Sequence, residues 1–316
     1  MTKKTTIIGA LCVLAAAGCG GGGGGTTQLT GAGSTLVAPL VARWAGIYDG
    51  ASVVYSGIGS GGGIAQATAK TVDFGASDAP LQPDQKSAAP NLVQIPWALA
   101  ATVIAVNLPG AGAHPKLTGA QLADIYLGRT RYWDEVAASL PHLRIAPIYR
   151  SDASGDTFVF TSYLAKASAA WQSKVGAGTD VSWPTGSGAK GNAGMTAALQ
   201  QTKGAIAYIA VAQVKAAKLN YALLRNRAGG YPEPSPAAIA RAASTASGTS
   251  IVDAPQGYPL STFTYVLVDR TSAKLAALKP FLRYAVGAGQ SFAGELSFAP
   301  LPANVRRADL KIIDGL

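Results

Sequence analysis

Two cysteines and two histidines are all the chain holds in 316 residues. Zinc enzymes, iron–sulfur proteins and disulfide-stapled scaffolds draw on more of both, so these classes fall away. Charge is sparse as well. Asp, Glu, Lys and Arg make up 13% of the residues, about half the usual share, which excludes a charge-rich coiled coil. An apolar share of 48% excludes a disordered chain. The 26 basic residues outnumber the 16 acidic ones, for a formal charge of +10, but no basic run concentrates the excess. Nucleic-acid binding wants a clustered stripe, so no nucleic-acid partner is expected. The length fits about two domains and is enough to bury a core without staples. What the chain does hold in quantity is glycine, 38 residues of it, which points to tight turns and close backbone approaches.

The first residues read as an address. Lys3 and Lys4 precede an apolar run from Ile7 to Ala17, followed by Ala16-Ala17-Gly18-Cys19. A basic start, a short apolar stretch and small residues before a cut make a secretory signal. The run is too short for a permanent membrane span. A Cys after small residues resembles a bacterial lipobox, although Ala16 stands where Leu is usual. Residues 1–18 are therefore expected to be a lipoprotein signal peptide, with Cys19 lipidated and residues 19–27 a Gly-rich tether. Loss of Lys3 and Lys4 leaves a charge of +8, and Cys12 leaves with them, so the processed fold has no free thiol.

From Thr30 onward short apolar strands alternate with amphipathic helices, which predicts an α/β fold. Strands are expected at Ala51–Tyr55, Val72–Gly75, Thr102–Asn107, Ile145–Tyr149, Ala205–Ile209 and Thr262–Val268. Helices are expected from Ser34/Thr35 to about Tyr48, over Gly61–Ala69, Gln121–Tyr126 and Thr157–Ala169, and around Leu275–Ala288 with a break at Pro280. The five tryptophans are scattered, which suits packing better than base or sugar stacking.

Three segments place small residues and a hydroxyl at a helix start. They are Gly31-Ala32-Gly33-Ser34-Thr35-Leu36, Gly57–Gly63 with Ser60 inside it, and Arg150-Ser151-Asp152-Ala153-Ser154-Gly155-Asp156-Thr157. Helix N-termini expose unpaired N–H groups and partial positive charge, so each is also an anion-ready end. Taken alone, each is equally a plain N-cap. Arg150 adds a planar guanidinium suited to an oxyanion. Asp78, after a buried-looking strand, is the sharper sign. An ionised carboxylate only accepts hydrogen bonds, so it repels sulfate but can take the proton of a phosphate monoanion or dianion. It is also readable as a helix cap before Ala79-Pro80.

The matching text is long and in order. It runs through Leu29–Ala38 (LTGAGSTLVA), Gly57–Gly63, Val72–Leu81 (VDFGASDAPL), Asp124–Gly128 (DIYLG), Arg150–Leu164 (RSDASGDTFVFTSYL), Trp183–Met195 (WPTGSGAKGNAGM) and Gly204–Ile209 (GAIAYI). By these motifs the chain resembles the phosphate-binding proteins of bacterial phosphate ABC transporters, the PstS family, over nearly the whole processed length. The resemblance implies a two-lobed, periplasmic-binding-protein-like fold of type II, with mixed sheets flanked by helices and two strands crossing between lobes. It implies lobe I from residues 28–100 and 260–316 and lobe II from 101–259. It implies a non-enzymatic, monomeric, lipid-anchored receptor outside the cytoplasm, without cofactor or metal, that binds inorganic phosphate and delivers it to membrane permease subunits.

Residue by residue, the resemblance assigns backbone and hydroxyl donors to Thr35, a backbone donor to Leu36 and a hydroxyl to Ser60. Asp78 becomes the proton acceptor and Arg150 the ion-pair partner, while Ser154 and Gly155 supply a hydroxyl and an amide. Many members have Thr where Asp156 stands. Either Asp156 faces the ligand as a second acceptor, favouring H2PO4⁻, or it pairs with Arg150. Other readings are weaker. Gly57-x-Gly59-x-x-Gly62 matches a dinucleotide fingerprint, but extra glycines and Ser60 depart from it. His114 and His142 belong to no visible triad. An adhesive or sensing surface lipoprotein, or a receptor for another tetrahedral oxyanion, is the alternative.

Overall fold

The computed structural model describes residues 26–110, 114–246 and 250–316. The signal-like segment, Cys19 and the tether up to Gly25 lie outside the described residues. No helix among the described residues is long and apolar enough to cross a membrane.

The described residues form ten strands: β1 (Gln28–Gly33), β2 (Ser52–Gly57), β3 (Phe74–Ser77), β4 (Leu92–Val106), β5 (Lys116–Leu117), β6 (Ala146–Arg150), β7 (Ser187–Ala189), β8 (Ala205–Ala210), β9 (Leu223–Leu224) and β10 (Ser261–Asp269). Eight of them form one mixed sheet in the order β2-β1-β3-β10-β4-β8-β6-β7, and β5 pairs with β9 apart from it. Helices flank the sheet, so the α/β expectation holds. β1 runs parallel to β2 and β3, and β6 runs parallel to β7 and β8.

The long strand β4 joins these two parallel blocks. Its residues Leu92–Ala101 pair antiparallel with β10, and Thr102–Val106 pair antiparallel with β8. At the changeover the Thr102 N–H donates to the Leu260 carbonyl (3.0 Å). Because β10 is antiparallel to both β3 and β4, β1–β3 run in the direction of β4 and β6–β8 run against it. The C-terminal edges of the two blocks therefore face each other across the changeover. Ligands of open α/β sheets bind at such edges.

Burial of β4 is complete from Trp97 to Val106, as expected of a strand covered on both faces. Trp44, Trp97, Trp133 and Trp171 are fully buried, and Trp183 packs against Tyr149, Phe160, Tyr208 and Trp171, in line with their expected packing role. Three departures from the sequence reading have a clear physical reason. The first helix begins at Ala38, after a turn, with Pro39 in its first turn. β4 starts ten residues before Thr102, and its Pro96 sits opposite Tyr265 where the register with β10 shifts, a position that tolerates the missing N–H. The Leu275–Val286 helix runs unbroken through Pro280. Its stripe of Leu278, Phe281, Leu282, Ala285 and Val286 is buried, and that packing outweighs the lost hydrogen bond.

Candidate functional site

Each residue predicted to contact the ligand lies at or just past a C-terminal strand end at these facing edges, or caps or opens the helix that follows. β1 delivers Ser34, Thr35 and Leu36; β2 leads to Gly59 and the Ser60–Thr68 helix; β3 is followed directly by Asp78. Across from them, β6 ends in Arg150 and leads to Ser154 and the Gly155–Ala167 helix. The chain brings the two groups into contact. Gly61 N–H donates to the Ala153 carbonyl (3.0 Å), and Gly155 N–H donates to Ser60 Oγ (3.0 Å). Glycine permits this approach. A Cβ on Gly59, whose φ is +91°, would lie 2.6 Å from Asp152 Oδ2.

Asp78 is 1% exposed. Its Oδ2 accepts from Ser34 Oγ (2.6 Å) and Ser60 Oγ (3.3 Å), while its Oδ1 is buried with no hydrogen-bond partner. Burial, reinforced by the nearby charge of Asp156, pushes its carboxyl up to about 7, against the pull of the hydrogen bonds from Ser34 and Ser60. An orphaned buried acceptor is costly unless something pairs with it. A group poised near neutrality can both take and give a proton.

Arg150 is as buried as Asp78 and holds two carboxylates. Its Nε and Nη2 grip Asp152 side-on (2.7 and 2.5 Å), and Nη1 reaches Asp156 Oδ2 (3.1 Å). Burial acts to lower the guanidinium pKa, but Asp152 and Asp156 raise it overall, so it stays charged. Burial likewise works against the Asp152 carboxylate, yet the bonds from Arg150 and Gly191 hold it below the usual range. Asp156 also accepts from Thr102 Oγ1 (2.7 Å) and Asn192 Nδ2 (2.8 Å). Its burial still leaves its pKa raised. Of the two orientations open to Asp156, the structure has the one paired with Arg150.

The amides behave differently from expectation. Leu36 N–H and Val37 N–H both donate to Ser34 Oγ (3.0 and 3.3 Å). Together with the Gly155–Ser60 bond, this means that buried N–H groups read as donors to a ligand are satisfied by neighbouring serines. Ser154 Oγ accepts from Thr157 N–H as an ordinary N-cap. Thr35 is half-buried and its Oγ1 accepts from Asn192 Nδ2 (2.9 Å). Sequence reasoning thus named loops that the structure brings together but did not single out Ser34, Thr102, Asp152 and Asn192. Ser34 and Asp152 stood inside the quoted motifs, and their polarity next to glycine was the available signal. The histidines lie elsewhere in the bonding pattern: His114 faces the Tyr221 carbonyl and His142 pairs with Asp134.

A family model described as a PBP superfamily domain matches residues 21–288. The phosphate-binding protein PstS of Pasteurella multocida (strain Pm70) is 38% identical over 306 residues, covering 89% of this chain and 89% of that protein. The chain belongs to the PstS family. PstS of Xylella fastidiosa (strain 9a5c) is 37% identical over 303 residues, covering 89% of this chain and 83% of that one. Among solved structures, a high affinity periplasmic phosphate-binding protein (PfluDING) bound with phosphate superposes with a TM-score of 0.74 at 22% identity, over 89% of this chain and 92% of that chain. The phosphate binding protein of Stenotrophomonas maltophilia gives 0.70 at 20% identity, over 90% and 93%. The chain thus has the mixed α/β fold of type II periplasmic binding proteins.

Proposed function

We propose that this protein is the extracytoplasmic receptor of an ABC-type phosphate importer, capturing inorganic phosphate between two lobes and handing it to permease subunits in the membrane. Lobe I comprises residues 28–100 and 260–316, and lobe II residues 101–259. The partner change of β4 at Thr102, beside Leu260, supports that division. Thr35, Leu36, Ser60 and Asp78 bind from lobe I; Arg150, Ser154, Gly155 and Asp156 bind from lobe II. The names of the relatives in Pasteurella and Xylella support phosphate as the ligand.

The observation that carries the reading is the buried, unpartnered Oδ1 of Asp78. A phosphate O–H satisfies it, while hydroxyls, amides and the Arg150 guanidinium face the anionic oxygens. On binding, the Leu36 and Gly155 amides exchange a serine oxygen for a phosphate oxygen. Sulfate carries no proton at neutral pH, so against an ionised Asp78 it meets repulsion with nothing to offset it. Arsenate shares the proton and is harder to exclude. Both lobes reach the ligand only together, so phosphate stabilises the closed arrangement. The protein acts as a monomer and without chemistry, held to the membrane through lipid on Cys19.

Two substitutions test this reading. Asp78→Asn removes the ionisable acceptor and is expected to admit sulfate as a competitor of labelled phosphate. Sulfate exclusion equal to that of the unaltered protein would show that Asp78 is not the filter. Cys19→Ser is expected to move the protein from the membrane fraction to the soluble fraction, and retention in the membrane counts against the anchor.

A further inference from the structure

The Trp183–Met195 segment carries part of the family resemblance, yet none of the roles assigned above falls on it. In the structure it forms a third wall of the site. β7 lies parallel to β6, and after its end Gly191 turns with φ +65° and donates its N–H to Asp152 Oδ1 (2.9 Å). Asn192 follows, 4% exposed, near the start of the Gly191–Gln201 helix. It does not cap that helix, whose N-cap is Lys190 without a side-chain bond. Its Oδ1 accepts from Ala210 N–H (2.8 Å). Its Nδ2 donates both hydrogens, one to Asp156 Oδ2 (2.8 Å) and one to Thr35 Oγ1 (2.9 Å). The Ala210 N–H requires an oxygen and the Asp156 carboxylate requires a donor, which fixes the amide orientation.

We propose that Asn192 is a positioning residue that latches the two lobes together, held by lobe II through Ala210 and Asp156 and capturing Thr35 of lobe I on closure. The proposal rests on the phosphate-receptor reading above. The chemistry is specific. Once Thr35 Oγ1 accepts from Asn192, its own O–H is left to donate, which is what an anionic ligand needs. On the other side Asn192, Arg150 and Thr102 together supply Asp156 with donors only, so Asp156 is kept as an acceptor and its charge stays on Arg150. One side chain thereby orients a donor in one lobe and an acceptor in the other. The Thr35 bond exists only when the lobes meet, so its loss acts on opening.

The test is stopped-flow phosphate binding by the full-length protein and its Asn192→Ser and Asn192→Asp variants. For Asn192→Ser the dissociation rate is expected to rise about tenfold, with association changed less than about twofold. A merely structural role would instead lower the ligand-free melting temperature and leave dissociation alone. Asn192→Asp places a carboxylate against Asp156, with Asp152, Asp78 and Arg150 the other charged groups facing it and Tyr208 neutral. Its phosphate affinity relative to the unaltered protein is expected to be lower at pH 8 than at pH 5. Either variant suffices if the other does not fold. Dissociation within about twofold of the unaltered protein for Asn192→Ser, or a pH-independent ratio for Asn192→Asp, overturns the latch. Absence of phosphate binding by the unaltered protein overturns the receptor reading instead.

Discussion

Gly155 offers the cleanest separation of closing from folding. A Cβ at this position would lie 2.5 Å from both Cβ and Oδ2 of Asp78 and 2.7 Å from Ser60 Oγ. Asp78 is buried and anchored by Ser34, so it cannot swing aside, and the clash must be met by backbone shifts. Overpacking of this kind costs roughly 1–3 kcal/mol. In the proposed division Asp78 and Ser60 belong to lobe I and Gly155 to lobe II, so the penalty falls on the closed arrangement alone. Gly155→Ala is therefore expected to weaken phosphate binding by about fivefold to about 150-fold. The same change has the opposite sign in the ligand-free protein. Gly155 starts a helix with no positive φ, and alanine at a compatible position stabilises by roughly 0.4–1 kcal/mol through the unfolded state. Calorimetric titration and ligand-free thermal melting together read both effects. Phosphate affinity within about twofold of the unaltered protein would refute the argument, because the lobes would then not meet at Gly155 when phosphate is held.

Two further outcomes follow from the buried charges. Arg150→Ala strands the Asp152 and Asp156 carboxylates, and loss of one partner of a buried pair costs about 3–5 kcal/mol. The melting temperature should fall and recover partly at lower pH, and phosphate affinity should drop more than about tenfold; an unchanged melting temperature contradicts the pairing. Asp309, on the buried face of the C-terminal helix Ala303–Asp314, is pushed up to about 7 by burial, and its Oδ2 has no hydrogen-bond partner. A carboxyl with a raised folded pKa holds its proton better folded than unfolded, so its contribution is complete below about pH 4 and is lost as pH rises toward about 7. Asp309→Asn should then melt higher than the unaltered protein at pH 8 and show little difference at pH 4; an equal difference at both values contradicts this.

The parts of this molecule that could be read in the sequence are those set by neighbouring residues. The strand ends and glycine-rich turns that deliver Thr35, Ser60, Asp78 and Arg150 are local patterns, and three such turns in one chain already pointed to a shared anion site. What stayed hidden depends on distant partners. The orientation of Asp156 is decided by Thr102 and Asn192, 54 and 36 residues away, as well as by Arg150. The first half of β4 was masked by Pro96, whose missing N–H is harmless only because the register with β10 shifts there. Pro280 looked like a helix break because the sequence does not reveal how firmly Phe281 and Leu282 are buried. The Ser60 hydroxyl that holds the Gly155 amide, 95 residues away, reflects a long-range approach that no local pattern encodes.

The central claim is that the cleft selects a proton-bearing oxyanion. Calorimetric titration of the ligand-stripped protein with phosphate and then sulfate, at pH 5 and pH 8, tests it most directly. The account predicts one phosphate per chain at both values, with sulfate inert at pH 8, where Asp78 is ionised, and less completely excluded at pH 5, where its carboxyl holds a proton. Sulfate bound as tightly as phosphate at pH 8, or no phosphate bound by a folded protein, would contradict it.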